Sequence, residues 1–265
     1  MSAASTARLH REVAGDGPPV VFVHSGVCDS RMWDPQWEPF QRDHRVVRFD
    51  MRGFGRTPLT AGPYSPPQDV IDLLDELALG PAALVGASMG GGASLQVAVA
   101  RPDLVSALVL AGSGVRGHEW SDFVTRAWED EEAAFDRGDL DAAVEINLRT
   151  WVDGPKRAPE EVDPRVRAKV AEMQRRSFEL AVAEPDAQEQ PLVRDVGDRL
   201  GEISAPTLVV VGELDVRDIG VVADRLEREL PNVRVFRIAG AAHLPSLERP
   251  EEFNELVLGF LTEVA

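Results

Sequence analysis

One cysteine, Cys28, stands in 265 residues, so no intrachain disulfide and no cysteine-based metal cluster is available. Positive charge is also scarce: 28 Lys and Arg face 45 Asp and Glu, a formal net charge of −17. A field of that sign repels phosphate backbones and anionic bilayers, which argues against nucleic acid as a partner. No apolar run approaches the roughly 20 residues that a membrane helix needs. The opening Met-Ser-Ala-Ala-Ser-Thr-Ala-Arg lacks a basic-then-apolar signal pattern, and no repeat of solenoid period is visible. The expectation is a soluble, cytoplasmic protein that binds no membrane. What remains is ordinary for a folded chain, 44% apolar and 28% charged, and it is long enough for a buried core.

The most informative stretch follows Pro81. Ala82-Ala83-Leu84-Val85 reads as a strand, Gly86-Ala87-Ser88-Met89-Gly90 as a sharp turn, and the residues from Ala93 as a helix. Gly-x-Ser-x-Gly has a mechanical reason. A turn this tight strains the serine backbone, and only glycines two positions either side let strand and helix pass so closely. Ser88 is thereby held out at the carboxyl end of a strand. The helix that starts there points free N–H groups at any negative charge forming beside it.

The remaining chain alternates strand and helix signals. Leu9 to Val13, Val20 to Val23, Arg45 to Phe49 and Ala107 to Ala111 read as strands. Between them, Val70, Leu73, Leu74 and Leu77 fall at a helical period after Pro66. The segment from Met32 to Phe40 is ambiguous because Pro35 and Pro39 limit a helix. From 115 to 191 strand signals vanish and three helical stripes follow. They are Trp120, Phe123, Val124, Ala127 and Trp128; then Leu140, Val144, Leu148 and Trp151; then Val166, Val170, Met173 and Leu180. Strands return at Thr207 to Val211 and Val233 to Ile238, separated by a helix from about 218 to 230. A last helix carries Phe253, Leu256, Val257, Phe260 and Leu261. Alternation of this kind implies right-handed crossovers and a mainly parallel sheet, with ligands bound beyond the carboxyl ends of its strands.

Taken together, Gly86-Ala87-Ser88-Met89-Gly90-Gly91, His24-Ser25-Gly26, Asp50-Met51-Arg52-Gly53-Phe54-Gly55, Gly212-Glu213-Leu214-Asp215 and Ala242-His243 make the chain similar to the α/β-hydrolase superfamily over nearly its whole length. The resemblance implies a mainly parallel sheet of seven or eight strands flanked by helices. The core would span 1–114 and 192–265, and a helical cap, 115–191, would be inserted after strand 6. It also implies a nucleophile–acid–base order along the chain, which Ser88, Asp215 and His243 satisfy. A serine hydroxyl needs a base within hydrogen-bond reach, an imidazole suits that role, and a carboxylate fixes its tautomer. Glu213 and Asp218 stay open as neighbouring acids. Met89 N–H is one expected oxyanion donor. Family members usually read His-Gly-x where this chain reads His-Ser-Gly, which leaves the second donor between Gly26 and Val27.

Three patterns point elsewhere and are set aside. Gly112-Ser113-Gly114-Val115-Arg116-Gly117 fits a dinucleotide fingerprint, but the acidic residues about 20 positions on, Glu131 and Glu132, sit in a helical stretch and not at a strand end. His24 and Cys28 lie four apart without further ligands, so no metal is expected. Cys28 reads as a small buried residue. His24, Asp50 and Arg52 read as structural. Ser25, Val27, Trp120, Trp128 and Trp151 are the candidate pocket residues, with the tryptophans as an apolar roof. The expected activity is cofactor-free hydrolysis of a small apolar ester or lactone through an acyl-enzyme. Its rivals are perhydrolysis, C–C hydrolysis or cofactor-free oxygenation on the same residues, and a ligand-binding receptor on a hydrolase fold.

Overall fold

The structure, a computed structural model, describes residues 9–265. Its strands are β1 (Arg11–Ala14), β2 (Pro19–Val23), β3 (Arg45–Phe49), β4 (Gly62–Tyr64), β5 (Ala82–Ala87), β6 (Val105–Ala111), β7 (Ala187–Glu189), β8 (Thr207–Gly212) and β9 (Val233–Ile238). Seven of them form one sheet in the order β1-β3-β2-β5-β6-β8-β9. Only β1 runs antiparallel to its neighbour; the other pairings are parallel. Every residue of β5 and β8 is buried, as expected of parallel strands covered on both faces.

Register decides where the loops gather. Val23 lies opposite Gly86, Ala87 opposite Ala111, and Gly212 opposite Ile238. The segments that follow β2, β5, β6, β8 and β9 therefore leave from one rim of the sheet.

The helices are α1 (Asp34–Phe40), α2 (Pro66–Leu77), α3 (Met89–Ala100), α4 (Asp122–Asp136), α5 (Leu140–Asn147), α6 (Pro164–Ala183), α7 (Arg217–Glu229), α8 (Pro245–Glu248) and α9 (Pro250–Val264). The apolar stripe of α2 is buried as its spacing implies, with Val70, Leu73 and Leu74 inside. Phe253, Val257, Phe260 and Leu261 of α9 are buried likewise. The ambiguous stretch at 32–40 resolves into a 3-10 turn, Ser30–Trp33, running into α1, with Pro35 in its first turn and Pro39 inside. None of the helices described is long and apolar enough to cross a membrane.

Three details differ from the sequence reading. Residues 187–189, expected to be free of strand, pair in parallel with 62–64 as a separate two-stranded ribbon, β4 with β7. The second helical stripe is not one α-helix: α5 passes into a π-helical turn, Leu148–Asp153, that carries Trp151. The stripes also rotate. Phe123 is 49% exposed, whereas Phe178 and Gln174 occupy the buried face of α6.

Candidate active site

The turn after β5 is as tight as its glycines require. A Cβ on Gly86 would stand 2.5 Å from the carbonyl oxygen of Gly90, and one on Gly90 would collide with the carbonyl oxygen of Val23. Between them Ser88 has φ +51° and ψ −111°, a conformation that a side-chain-bearing residue adopts only when its surroundings impose it. Its hydroxyl faces the open rim.

Two other loops from the same rim meet it. His243, from the segment after β9, has Nε2 2.8 Å from Ser88 Oγ and Nδ1 2.9 Å from Asp215 Oδ2. An ionised carboxylate only accepts, so Nδ1–H donates to Asp215 and Nε2 accepts from the serine hydroxyl. Asp215 Oδ1 accepts from Val216 N–H at 2.7 Å. His243 and Asp215 are 2% and 6% exposed, so the carboxylate and the imidazole are screened from water. The neighbouring acids are placed elsewhere. Glu213 is exposed, and Asp218 accepts from the Ser121 N–H and hydroxyl, each at 2.7 Å, with His118 Nε2 at 3.4 Å.

The segment after β2 closes the other side. Gly26 faces Met89 closely enough that an added Cβ would lie 3.5 Å from its sulfur. Val27 N–H donates to Ser25 Oγ at 3.4 Å. Among the described residues, neither the Gly26 N–H nor the Met89 N–H has a protein acceptor. Behind this segment, His24 Nε2 accepts from Met51 N–H at 2.9 Å and its Nδ1–H donates to the Ser25 carbonyl at 2.8 Å. Burial lowers the pKa of that imidazole, which keeps it a neutral strut. Asp50 braces its loop by accepting from Ser30 and Arg56 N–H groups, and Arg52 pairs with Asp69 at 2.8 Å. Cys28 is wholly buried, and desolvation pushes its thiol up, which suits packing and not nucleophilic chemistry.

Ser88 and His243 open on a cavity of about 840 Å³. Ser25, Gly26, Val27 and Met89 line it, as do Trp120, Trp128 and Trp151. The tryptophans form a chain of contacts: Trp120 to Trp128 with ring centroids 5.1 Å apart, Trp128 to Trp151 at 6.5 Å, and Trp151 to His243 at 4.5 Å. The wall is not wholly apolar. Glu131 from α4, Asn147 from α5 and Gln174 from α6 also line it, and burial raises the Glu131 carboxyl pKa despite a hydrogen bond from Asn147. Sequence reading missed these three. For Gln174 there was a signal, a carboxamide one residue beyond Met173 on an otherwise apolar helix face.

This arrangement can activate a hydroxyl, store its proton, and offer two N–H groups to an oxyanion beside the cavity. Known proteins share the frame. The curated 3-oxoadipate enol-lactonase 1 of Acinetobacter baylyi is 24% identical over 251 residues, 94% of this chain and 90% of that one. A thermophilic esterase from Thermogutta terrifontis superposes with a TM-score of 0.78 at 27% identity, covering 97% of this chain and 93% of that one. Est816, described as an N-acyl homoserine lactone degrading enzyme, gives 0.73 at 29%, covering 95% and 96%. With its serine on a strained strand-to-helix turn and the segments that meet it all inside residues 20–256, the span matched by the model of the alpha/beta hydrolase family, the chain belongs to that family.

Proposed function

We propose that the protein is a serine hydrolase that cleaves a carboxylic ester or lactone through an acyl-enzyme. The observation that carries this is the hydrogen-bonded line Ser88–His243–Asp215 ending in a chamber whose volume lies within the ~300–1,000 Å³ typical of small-molecule sites.

Ser88 Oγ attacks the carbonyl carbon as its proton passes to His243 Nε2. The imidazolium is held by Asp215, and the charge on the former carbonyl oxygen is taken by Met89 and Gly26 N–H. Gly26 is preferred to Val27 as second donor because the Val27 N–H is directed at Ser25 Oγ. Collapse of the tetrahedral species returns the proton from Nε2 to the leaving oxygen. Water then repeats the cycle on the acyl-enzyme, with His243 again as base.

Residues 115–191 act in this reading as a cap on a core of 1–114 and 192–265. The cap supplies the tryptophan wall, and Ser25 and Val27 shape the floor. The tryptophan wall favours an apolar acyl or alkyl part, while Glu131, Asn147 and Gln174, with Gln96, Arg116, Glu189 and Arg194, add polar groups to the lining. The names of the esterase and the two lactone-acting relatives agree with this chemistry.

A fluorophosphonate probe followed by peptide mass spectrometry is the direct test, with a panel of esters and lactones of graded acyl length beside it. The expected result is a single adduct on Ser88 and turnover of the panel. No adduct with any activated ester would overturn the acyl-enzyme route and leave His243 as a base acting alone.

A further inference from the structure

His243 sits on a loop, and a loop alone does not hold an imidazole within a few tenths of an ångström of two partners. Beyond this imidazole's own hydrogen bonds to Ser88 and Asp215, its loop is held from outside those three residues. Glu248, five positions on in α8, turns its carboxylate back over the loop. Its Oε1 accepts from Ala242 N–H at 2.9 Å and Leu244 N–H at 3.4 Å, the residues on either side of His243. Its Oε2 accepts from Arg157 Nη2 at 2.7 Å.

Arg157 comes from the other part of the chain, just past the π-helical turn that carries Trp151. It also donates from Nη2 to the Val152 carbonyl at 2.7 Å, from Nε to the Asp153 carbonyl at 2.9 Å, and from Nη1 to the Gly240 carbonyl at 3.4 Å. One guanidinium thus ties the end of the Trp151 turn to both the start of the His243 loop and its brace. The two side chains are 11% and 5% exposed, so water competes little for their hydrogen bonds. Burial pushes the Glu248 carboxyl up more than Arg157 and the two N–H donors bring it down.

Neighbouring contacts run the same way. A Cβ on Gly154 would stand 2.6 Å from the Leu214 carbonyl oxygen and 3.2 Å from Ala242 Cβ. Those residues directly precede Asp215 and His243. Lys156 Nζ donates to the Glu213 carbonyl at 2.7 Å. Residues 154–157 therefore touch the acid loop and the base loop together.

We propose that Glu248 and Arg157 are positioning residues for His243, a two-residue clamp through which the segment ending the Trp151 turn keeps the imidazole in line with Ser88 and Asp215. Neither lines the chamber beside Ser88. This rests on the hydrolase reading for its kinetic consequence but not for its structural one, and the test separates them.

The variants are Glu248→Ala, Glu248→Gln, Arg157→Met and Arg157→Lys, each compared with the unaltered chain for kcat and KM on an activated ester and for thermal unfolding. The low-field proton resonance of the His243 Nδ1–H shared with Asp215 is followed in parallel, without substrate. Misplacement of a reacting group by about 1 Å costs up to about 10²-fold. Glu248→Ala should thus lower kcat by about 30- to 100-fold with KM changed less than about 3-fold, and should broaden or shift the resonance. Glu248→Gln keeps an acceptor for the two loop N–H groups but loses the pairing to Arg157, so it and Arg157→Met should fall between. Arg157→Lys should recover part of the Arg157→Met loss, since an ammonium reaches Glu248 but not all three carbonyls. Folded Glu248→Ala or Arg157→Met protein with an unmoved resonance and kcat within about 2-fold overturns the clamp. So does a loss of kcat that follows only the unfolded fraction. Should the unaltered chain turn over no ester, the hydrolase reading fails while the resonance still decides the clamp.

Discussion

The indole of Trp151 lies 4.5 Å from the imidazole of His243, ring centroid to ring centroid, at an interplanar angle of 42°. A residue of the helical segment is thus in direct contact with the proposed base, and this part of the cavity wall packs against the Ser88–His243–Asp215 line. Trp151→Phe keeps an aromatic face there and should leave kcat/KM within about 3-fold. Trp151→Ala removes a buried wall at about 3 kcal/mol or more of stability. It should lower kcat/KM about 10-fold for long acyl chains and less for acetyl esters, about 1.4 kcal/mol of transition-state binding. The check is a kcat/KM series over acyl length beside urea unfolding. An equal fall across the series would place Trp151 outside the acyl site.

Ser88 and His243 should behave as one unit. Ser88→Ala and His243→Ala are each expected to lower kcat by about 10⁴-fold or more, and the double variant by little beyond that, because removing either ends the same proton transfer. Asp215→Asn, which disturbs the imidazole tautomer without emptying the site, should lie in the same range. Circular dichroism and unfolding midpoints establish that the fold persists. Multiplicative losses in the double variant would show that the two residues act in separate steps.

Much of this was readable from local pattern. The unbroken apolar run Val20 to Val23 suits a strand covered on both faces, as in a parallel sheet, and Gly86 and Gly90 flank Ser88 because nothing larger fits beside the Gly90 and Val23 carbonyls. What sequence did not reveal depends on partners distant along the chain. The three-residue strands at 62–64 and 187–189 have no alternation to detect and exist through each other. Phe123 and Phe178 look alike in sequence, yet only the second is buried, because helix packing and not composition sets the rotation of α4 and α6. Glu248 reads as an ordinary helix-start acid until Arg157, 91 positions earlier, is placed against it.

Asp218 gives a prediction with a definite sign in pH. Burial disfavours its charge, but hydrogen bonds from the Ser121 hydroxyl and N–H, with His118, outweigh that and hold its carboxyl below the usual carboxylate range. A depressed folded value means stability that is fully present above the unfolded value of about 3.9 and is lost as pH falls through the folded one. Asp218→Asn should therefore cost about 1 to 3 kcal/mol near neutrality, and the gap to the unaltered chain should close as pH falls below the unfolded carboxyl value of about 3.9. Urea unfolding across that range is the measurement, and a gap independent of pH would mean that the charge contributes nothing. Because Ser121 adjoins Trp120 at the entry to α4, KM should rise in the same variant.

Gln174 makes the opposite prediction for stability. It is 4% exposed, and among the described residues its Oε1 is a buried oxygen without a hydrogen-bond donor. Such an atom costs about 1–3 kcal/mol, on a helix face otherwise occupied by Val170, Met173 and Phe178. Gln174→Met has similar length and no polar demand, so it should raise the unfolding free energy by about 1 kcal/mol. Its position on the wall of the chamber makes the functional consequence selective. Esters carrying a hydroxyl or amide should lose about 5- to 10-fold in kcat/KM relative to plain alkyl esters, about the worth of one hydrogen bond. Parallel unfolding curves and a two-substrate comparison decide it: a variant that is less stable, and no more selective for alkyl esters, would show that the carboxamide is a structural tie within α6 and has no part in recognising substrate.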